Sequence, residues 1–507
     1  MKHILLFGAG KSATALIDYL KNLATENNYT ITVADGNLDH AQSKVGEHLL
    51  VKAQSVNVED ENLRQALIKK SDVVISMLPP SLHYLVAVDC VAFSKHLLTA
   101  SYIDNKIKAL SQEIENKNLL FLCEMGLDPG IDHMSAMQLI NRIHAIDGKI
   151  SSFKSHCGGL VAPESDNNPW HYKISWNPRN VVLAGKAGAD FKESGELKHV
   201  QYEQLFSTDH IVNVDENLKF AYYPNRDSLS YIPIYKLEET DTFIRTTLRH
   251  PDFCFGWKNI IDLHLTDENE LYDTDGLSLA DFFKQHFDKH GFNKWLDEML
   301  SSRLSFAKEI MENLVKLIDA EKKSGALGDI VDDDIMMVNQ AGELDSLKVE
   351  EVKDNAAATL SIKMHEANLS LKQLFFLGLD SDEKINKGQC TAADVLQFIL
   401  EKKLALSTDD KDMVVMQHEI KYEINGSLQL VKSSLVVKGQ DSIHTAMAKT
   451  VGLPLGIAAK LILNGTINTR GLHIPIVESI YTPVLKELEE YGIIFNECLT
   501  EVKPHKY

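Results

Sequence analysis

Short apolar runs alternate with amphipathic stretches through the first quarter of the chain. Ile4-Leu5-Leu6-Phe7 is apolar throughout, then Leu16, Ile17, Leu20 and Leu23 recur at helical spacing, then 29–34 is again mostly apolar. The alternation continues as a helix over 37–48, a strand near 49–56, a helix over 60–70, a strand over 72–78, a helix over 81–93, a strand over 96–101, a helix over 105–116 and a strand over 119–123. Helices alternating with strands that are apolar on both faces predict a parallel sheet covered on each side.

Beyond Cys123 the pattern changes, and Glu124 to His133 is a turn-rich junction leading into a helix over 134–144. Residues 150–257 read as β-rich, with strands over 149–156, 180–184, 230–235 and 242–249. Mostly helical periodicity follows to about 404, strongest over 277–287, 295–318 and 391–404, with an acidic, less regular stretch over 324–359 that suits an exposed loop or small hairpin. Strands over 413–424 and 427–437 would complete the sheet begun after 150, and helices over 443–451, 456–463 and 483–491 close the chain. The expected class is α/β: a Rossmann-like domain (1–124), a second α/β domain (125–257 with 405–507), and a helical subdomain (258–404). Part of the C-terminal helices is expected to return to the first domain.

The turn after the first strand carries candidate chemistry. Gly8-Ala9-Gly10-Lys11-Ser12-Ala13 stands between strand and helix, as in a dinucleotide fingerprint. Gly8 permits the tight turn, Gly10 lets backbone approach a pyrophosphate, and Ala13 replaces the third glycine where helix packs on strand. The phosphates would meet the open N–H groups of the helix beginning near Lys11 and Ser12. Asp35 ends the second strand where a carboxylate can accept from adenosine ribose hydroxyls. No Arg follows it, and Gly36-Asn37 occupy the place where a 2′-phosphate would want positive charge. NAD is therefore expected, with NADP possible.

With 507 residues, the chain is too long for one core, and its composition is that of a globular protein. The 52 Lys plus Arg stand against 72 Asp plus Glu, a net charge of −20 that disfavours nucleic acid and anionic membrane as partners. No membrane span and no signal peptide are expected, and a cytoplasmic location follows. The 6 cysteines show no metal-ligand spacing, so free thiols and no metal are expected.

Several polar loops follow strands. Leu78-Pro79 and Ser101-Tyr102 lie at the carboxyl edge of the first sheet, where open α/β folds bind ligands and where the nicotinamide would sit. Leu127, in the junction, is counted with Leu78 and Pro79 among the cofactor contacts. Arg226, Arg245 and Lys173 are candidate cations for substrate carboxylates.

Read together, Gly126-Leu127-Asp128-Pro129-Gly130-Ile131-Asp132-His133, His156-Cys157-Gly158-Gly159-Leu160, Tyr172-Lys173 with Ser175-Trp176, and Tyr223-Pro224-Asn225-Arg226-Asp227-Ser228 closely resemble the glutamate-forming saccharopine dehydrogenase (saccharopine reductase) family. So do Arg245 with Thr247-Leu248-Arg249, Asp412-Met413-Val414 with Gln417-His418, and Ala446-Met447-Ala448-Lys449. The resemblance runs in order over nearly the whole chain. It implies a variant Rossmann domain, a substrate and dimerisation domain, a small helical domain and a homodimer. The implied reaction, in lysine metabolism, is reversible hydride transfer at the carbon–nitrogen bond of saccharopine, with water splitting the imine into glutamate and 2-aminoadipate 6-semialdehyde. By the same resemblance Tyr102, Asp128 and Cys157 line the reaction centre, and Arg226, Thr247, Ser101 and Trp176 bind substrate. Asp128, Cys157, Tyr102 or an ordered water is expected to move the protons. Two departures are the absence of the Arg that NADP-using fungal members carry after the second strand, and Val161 in place of a usual Pro. A carboxynorspermidine synthase-like condensation is a rival reading, and the arginine set argues against a polyamine substrate. A non-catalytic dinucleotide sensor is another, opposed by Tyr102, Asp128, Cys157 and Arg226 occurring together.

Overall fold

The computed structural model describes residues 1–292, 301, 308, 334–338, 344–348, 361, 365–366 and 368–502. The chain divides into two compact units, one of Met1–Cys254 with Leu404–Tyr507 and one of Phe255–Lys403.

In the first unit, seven parallel strands lie in the order Gly471–His473, Leu120–Leu122, His96–Thr99, Val73–Ser76, His3–Phe7, Thr30–Asp35, Val51–Ser55. Ile4, Leu5, Leu6, Val73, Val74 and Ile75 are wholly buried, as strands covered on both faces must be. Strand order reverses beside His3–Phe7, so the carboxyl ends of His3–Phe7 and Val73–Ser76 flank a crevice. The C-terminal segment adds the outermost strand, Gly471–His473, paired with Leu120–Leu122.

The second sheet of this unit is mixed. Its central strand, Lys149–Val161, pairs in parallel with Thr242–Arg249 and antiparallel with Asp412–Ile424. Ser427–Lys438 and Asn496–Glu501 extend one side, and Lys219–Pro224 and Ile211–Asn213 the other. The long hairpin of Asp412–Ile424 and Ser427–Lys438 thus joins the sheet begun after residue 150.

Several local expectations are corrected. The runs at 180–184 and 230–235 are not strands but lie in the helices Pro178–Val182 and Tyr231–Tyr235. Asn177 caps the first by accepting from the Arg179 N–H, with Pro178 following it, and Pro233 in the second has no N–H for a ladder. The helix expected over 105–116 breaks into Asn105–Lys108 and Ser111–Asn116. The two helices expected over 443–463 are one, Ala446–Leu463, running through Pro454. By length and composition this helix could cross a membrane, which the sequence reading had not anticipated, yet 78% of it is buried inside the protein. Gly452 and Gly456 bring it against Thr14–Asn27, where an added Cβ would stand 3.0 Å from Leu16 and 2.6 Å from Tyr19. The last helix is Glu478–Glu490, starting earlier than 483.

The second unit contains the helices Leu279–His290 and Ala392–Lys403, and a two-stranded ladder of Leu271–Asp273 with Gln389–Thr391. Phe282, Phe283, Leu396 and Ile399 are buried at apolar helix positions. Asp334–Val338 and Leu344–Lys348 pair antiparallel within the stretch read as loop or hairpin. The helical periodicity expected over 295–318 lies outside the described residues, apart from single positions.

Candidate active site

The dinucleotide edge is made chiefly of backbone. Gly8 has φ +99°, and a Cβ there would stand 2.8 Å from the Met77 carbonyl oxygen, so only glycine fits the turn. At Gly10 a Cβ would meet nothing within 4 Å. Lys11–Ala13 form a single 3-10 turn leading into the helix Thr14–Asn27, and neither start carries a side-chain cap. An open approach over Gly10 toward uncapped N–H groups fits a pyrophosphate. Ala13 is buried against the sheet, Lys11 is exposed and Ser12 half-buried. The Asp35 carboxylate accepts from the Ala9 N–H at 2.7 Å and the Asn37 N–H at 2.8 Å, bracing the glycine turn from the second strand. Lys44 donates to the Gly10 carbonyl, and burial lowers its ammonium to about 8 against the opposing attraction of Asp35. Leu78 is half-buried and Pro79 exposed at the same sheet edge, whereas Leu127 is buried in the core.

Next to them is a residue missed from sequence, His83. It bridges Ser76 Oγ and Ser101 Oγ at 2.8 Å each, tying the ends of two neighbouring strands, and burial lowers its imidazole to about 4, so it bridges as a neutral ring. A lone His at a helix start gives no sequence signal for this.

Tyr102, Asp128, Cys157, Arg226, Arg245 and Thr247 come together. Gly130 has φ +147°, and a Cβ there would lie 2.1 Å from the Gly126 carbonyl oxygen, so the junction folds tightly enough to present Asp128 and Asp132 to one partner. That partner is Arg245, whose Nη2 meets Asp128 Oδ1 at 2.6 Å, Asp132 Oδ2 at 2.9 Å and the Tyr102 hydroxyl at 3.5 Å. The guanidinium lies 4.6 Å from the Tyr231 ring centre. Arg226, exposed and with φ +52°, lies 5.5 Å from the Tyr102 ring centre and has no ion pair among the described residues. Strand register sets Thr247 opposite Cys157.

The electrostatics differ from group to group. Burial raises the Asp128 carboxyl, to about 6, with Asp132 adding to the rise and Arg245 opposing it. Burial would raise Asp132 too, but His133, Arg245 and the Gly130 N–H together hold it below the usual range. Cys157 is buried beside both carboxylates and its thiol is pushed well up, so it stays protonated. Burial also raises the Tyr102 hydroxyl.

Two other expected substrate residues, Lys173 and Trp176, bond other partners. Lys173 is buried in a 2.6 Å ion pair with Asp410. Trp176 donates to the Tyr172 hydroxyl at 2.9 Å, and Arg249 lies 5.1 Å from the Tyr172 ring centre. His171, just before them, has one ring nitrogen 2.6 Å from Asp166 and the other 3.4 Å from Asp252, and stacks on His250 at 4.0 Å. Behind Asp132, His133 bridges Glu124 at 2.9 Å and the Tyr235 hydroxyl at 2.5 Å. Asp132 and His133 stand in the quoted motif, but nothing in it separates their role from that of Asp128.

A Rossmann-type sheet with an open glycine turn, beside a buried arginine–carboxylate cluster, defines the class of dinucleotide-dependent oxidoreductases. Residues 4–122 match the saccharopine dehydrogenase NADP binding domain, and 126–493 match the saccharopine dehydrogenase C-terminal domain. The chain belongs to the saccharopine dehydrogenase family. It is 31% identical to the NADP(+), L-glutamate-forming saccharopine dehydrogenase of Saccharomyces cerevisiae, over 98% of this chain and 99% of that one. The same enzyme of Pyricularia oryzae is 31% identical over 99% of both. Alpha-aminoadipic semialdehyde synthase of Arabidopsis thaliana is 32% identical over 97% of this chain, which spans only 44% of that protein. The solved apo form of the yeast dehydrogenase superposes with a TM-score of 0.76 at 29% identity, over 99% of this chain and 100% of that one. A Legionella pneumophila homospermidine synthase shares the fold alone, with a TM-score of 0.51 and 9% identity.

Proposed function

We propose that the protein oxidises L-saccharopine to L-glutamate and 2-aminoadipate 6-semialdehyde, reversibly, with a nicotinamide dinucleotide and one water. The observation that carries this reading is Arg245 spanning Asp128 and Asp132 beside Tyr102, with exposed Arg226 next to it. A substrate with three carboxylates needs cations that an acidic protein must place deliberately, and Arg226 has the exposure and the free charge to receive one.

The dinucleotide, when bound, supplies the hydride acceptor. The Gly8–Ala13 turn would hold its pyrophosphate, and Ser101, kept in place by neutral His83, borders the nicotinamide end. Asp128, as carboxylate, accepts the proton lost as the secondary amine becomes an imine and water adds to its carbon. It returns a proton to the departing amine of glutamate as the carbon–nitrogen bond breaks. Cys157, a protonated thiol, lines the pocket wall, and Tyr102 orients substrate between Arg226 and Asp128. Thr247 and, by the resemblance, Trp176 belong to the substrate side, whereas Lys173, buried against Asp410, has no charge left for a substrate carboxylate.

Two observations bear on the cofactor. The match to an NADP binding domain and the names of the fungal relatives support NADP. Asp35 at the end of the second strand supports NAD, and Lys44, which interacts with it, is a positive charge available to a 2′-phosphate. A homodimer and a cytoplasmic location belong to the same reading, the latter supported by six free cysteines. The test is incubation with L-saccharopine and either NAD or NADP. Glutamate released with the reduced dinucleotide is the expected result, and no turnover with either would overturn the reading.

A further inference from the structure

We propose that Asp132 is a positioning residue: it serves as the standing counter-ion of Arg245 and so leaves Asp128, on the same guanidinium nitrogen, as the carboxyl that exchanges the proton. This deepens the reading above and rests on it.

The two carboxylates meet the same Nη2, at 2.6 and 2.9 Å, but they are not equivalent. Asp132 opens the helix Ile131–His144, and both its oxygens have donors: Oδ1 accepts from the Gly130 N–H at 2.6 Å and Oδ2 from Arg245. His133 Nδ1 lies 3.8 Å from the same Oδ2. The Asp132 side chain is 2% exposed, against 14% for Asp128. Asp128 has only the Arg245 bond, and its second oxygen receives no donor from the described residues.

One buried cation cannot keep two adjacent carboxylates equally ionised, and the proton goes to the one with fewer donors. The charged and titratable groups facing Asp128 come from every element around it. They are Arg245 on Thr242–Arg249, Asp132 and His133 on Ile131–His144, and Arg226 after Lys219–Pro224. Tyr102 and Cys157 add to these, from the loop after His96–Thr99 and from Lys149–Val161, as does Tyr235 on the helix Tyr231–Tyr235. A second layer holds Asp132 and Arg245 in place. The Tyr231 hydroxyl donates to Glu124 at 2.9 Å while its ring lies against Arg245, and Glu124 bonds His133.

Asp132→Asn keeps the Oδ1 acceptor for Gly130 but removes the charge. Arg245 would then be left to Asp128 alone and the neighbouring negative charge would be gone, two effects of one sign. In the pH profile of kcat/KM for saccharopine oxidation, the acid limb should move down by about 1–2 pH units relative to wild type. The same variant should bind the reduced dinucleotide, by fluorescence, within about twofold of wild type. A uniform loss of activity with an unmoved limb would mean that Asp132 acts only structurally, and would overturn the proposal. If the variant does not fold, carbon-13 NMR of aspartate-labelled wild type decides, with Asp128→Asn giving the assignment. One carboxyl titrating in the resting protein while its neighbour stays ionised supports the proposal, and two titrating together overturn it. The same titration judges the inference even if wild type proves inactive on saccharopine, so that failure would fall on the proposed function alone.

Discussion

The dinucleotide edge and the charged pocket lie in one compact unit and are built in opposite ways. At the edge, the groups offered to a ligand are the main-chain N–H groups from Gly10 to Ser12, and the main brace, Asp35 to Ala9, spans 26 positions. In the pocket, Tyr102 and Arg245 meet from 143 positions apart, and Asp128 from 117. Backbone N–H groups do not titrate, whereas the pocket holds an arginine, two carboxylates, a phenol and a thiol with little access to water. Binding at the first region should therefore depend on local shape, and chemistry at the second on long-range register and pH.

The largest expected effect comes from the one place where the pocket also depends on a glycine. Gly130→Ala forces a side chain into φ +147° and against Gly126, and should cost at least about 3 kcal/mol. Thermal unfolding measures this, and a variant as stable as wild type would break the claim that backbone shape presents Asp128 and Asp132. Next, Asp128→Asn should lower kcat for saccharopine about 10²- to 10³-fold and leave dinucleotide affinity within about twofold, separating the two regions. Equal losses in both would join them. Arg226→Ala should raise the saccharopine KM roughly thirtyfold with cofactor binding untouched, because an exposed cation beside Tyr102 binds a carboxylate without supporting the fold. An unchanged KM would remove Arg226 from the site.

The smallest effect concerns a charged clamp away from the Arg245 cluster's bonds, His171 between Asp166 and Asp252. His171 is raised from the ordinary 6.5 to about 9, first by its hydrogen bond to Asp252 and then by Asp166, against a burial cost. A raised folded value means the stabilisation is fully present below pH 6.5 and is lost as pH climbs through about 9. His171→Asn should flatten the fall in melting temperature between those values. A wild-type melting temperature independent of pH over that window would count against the clamp.

The Rossmann half was legible because its signals are local. Apolar runs, helical spacing and the Gly8–Ala13 turn each act within a few residues, and sheet order follows from crossover rules. Short elements were not legible where two structures fit one pattern. Tyr231-Ile232-Pro233-Ile234-Tyr235 reads as an apolar strand, yet it is a helical turn that sends Tyr231 and Tyr235 to Glu124 and His133. The family motifs brought Asp128, Cys157, Arg226 and Thr247 into view, but His83 and the second layer behind Asp132 carry no local signature.

By itself, then, the sequence determined the βα alternation, the glycine turn, the kinship with the saccharopine dehydrogenases and the identity of the groups able to do chemistry. Those properties follow from steric and hydrophobic preferences that each stretch of chain expresses alone. Only the tertiary structure decided that Lys173 is spent on Asp410, that the C-terminal segment adds a strand to the first sheet, and that Asp128 and Asp132 share one guanidinium in different electrostatic states. Ionisation depends on burial and on charges brought close by folding, and these distances exist only once the strands are in register.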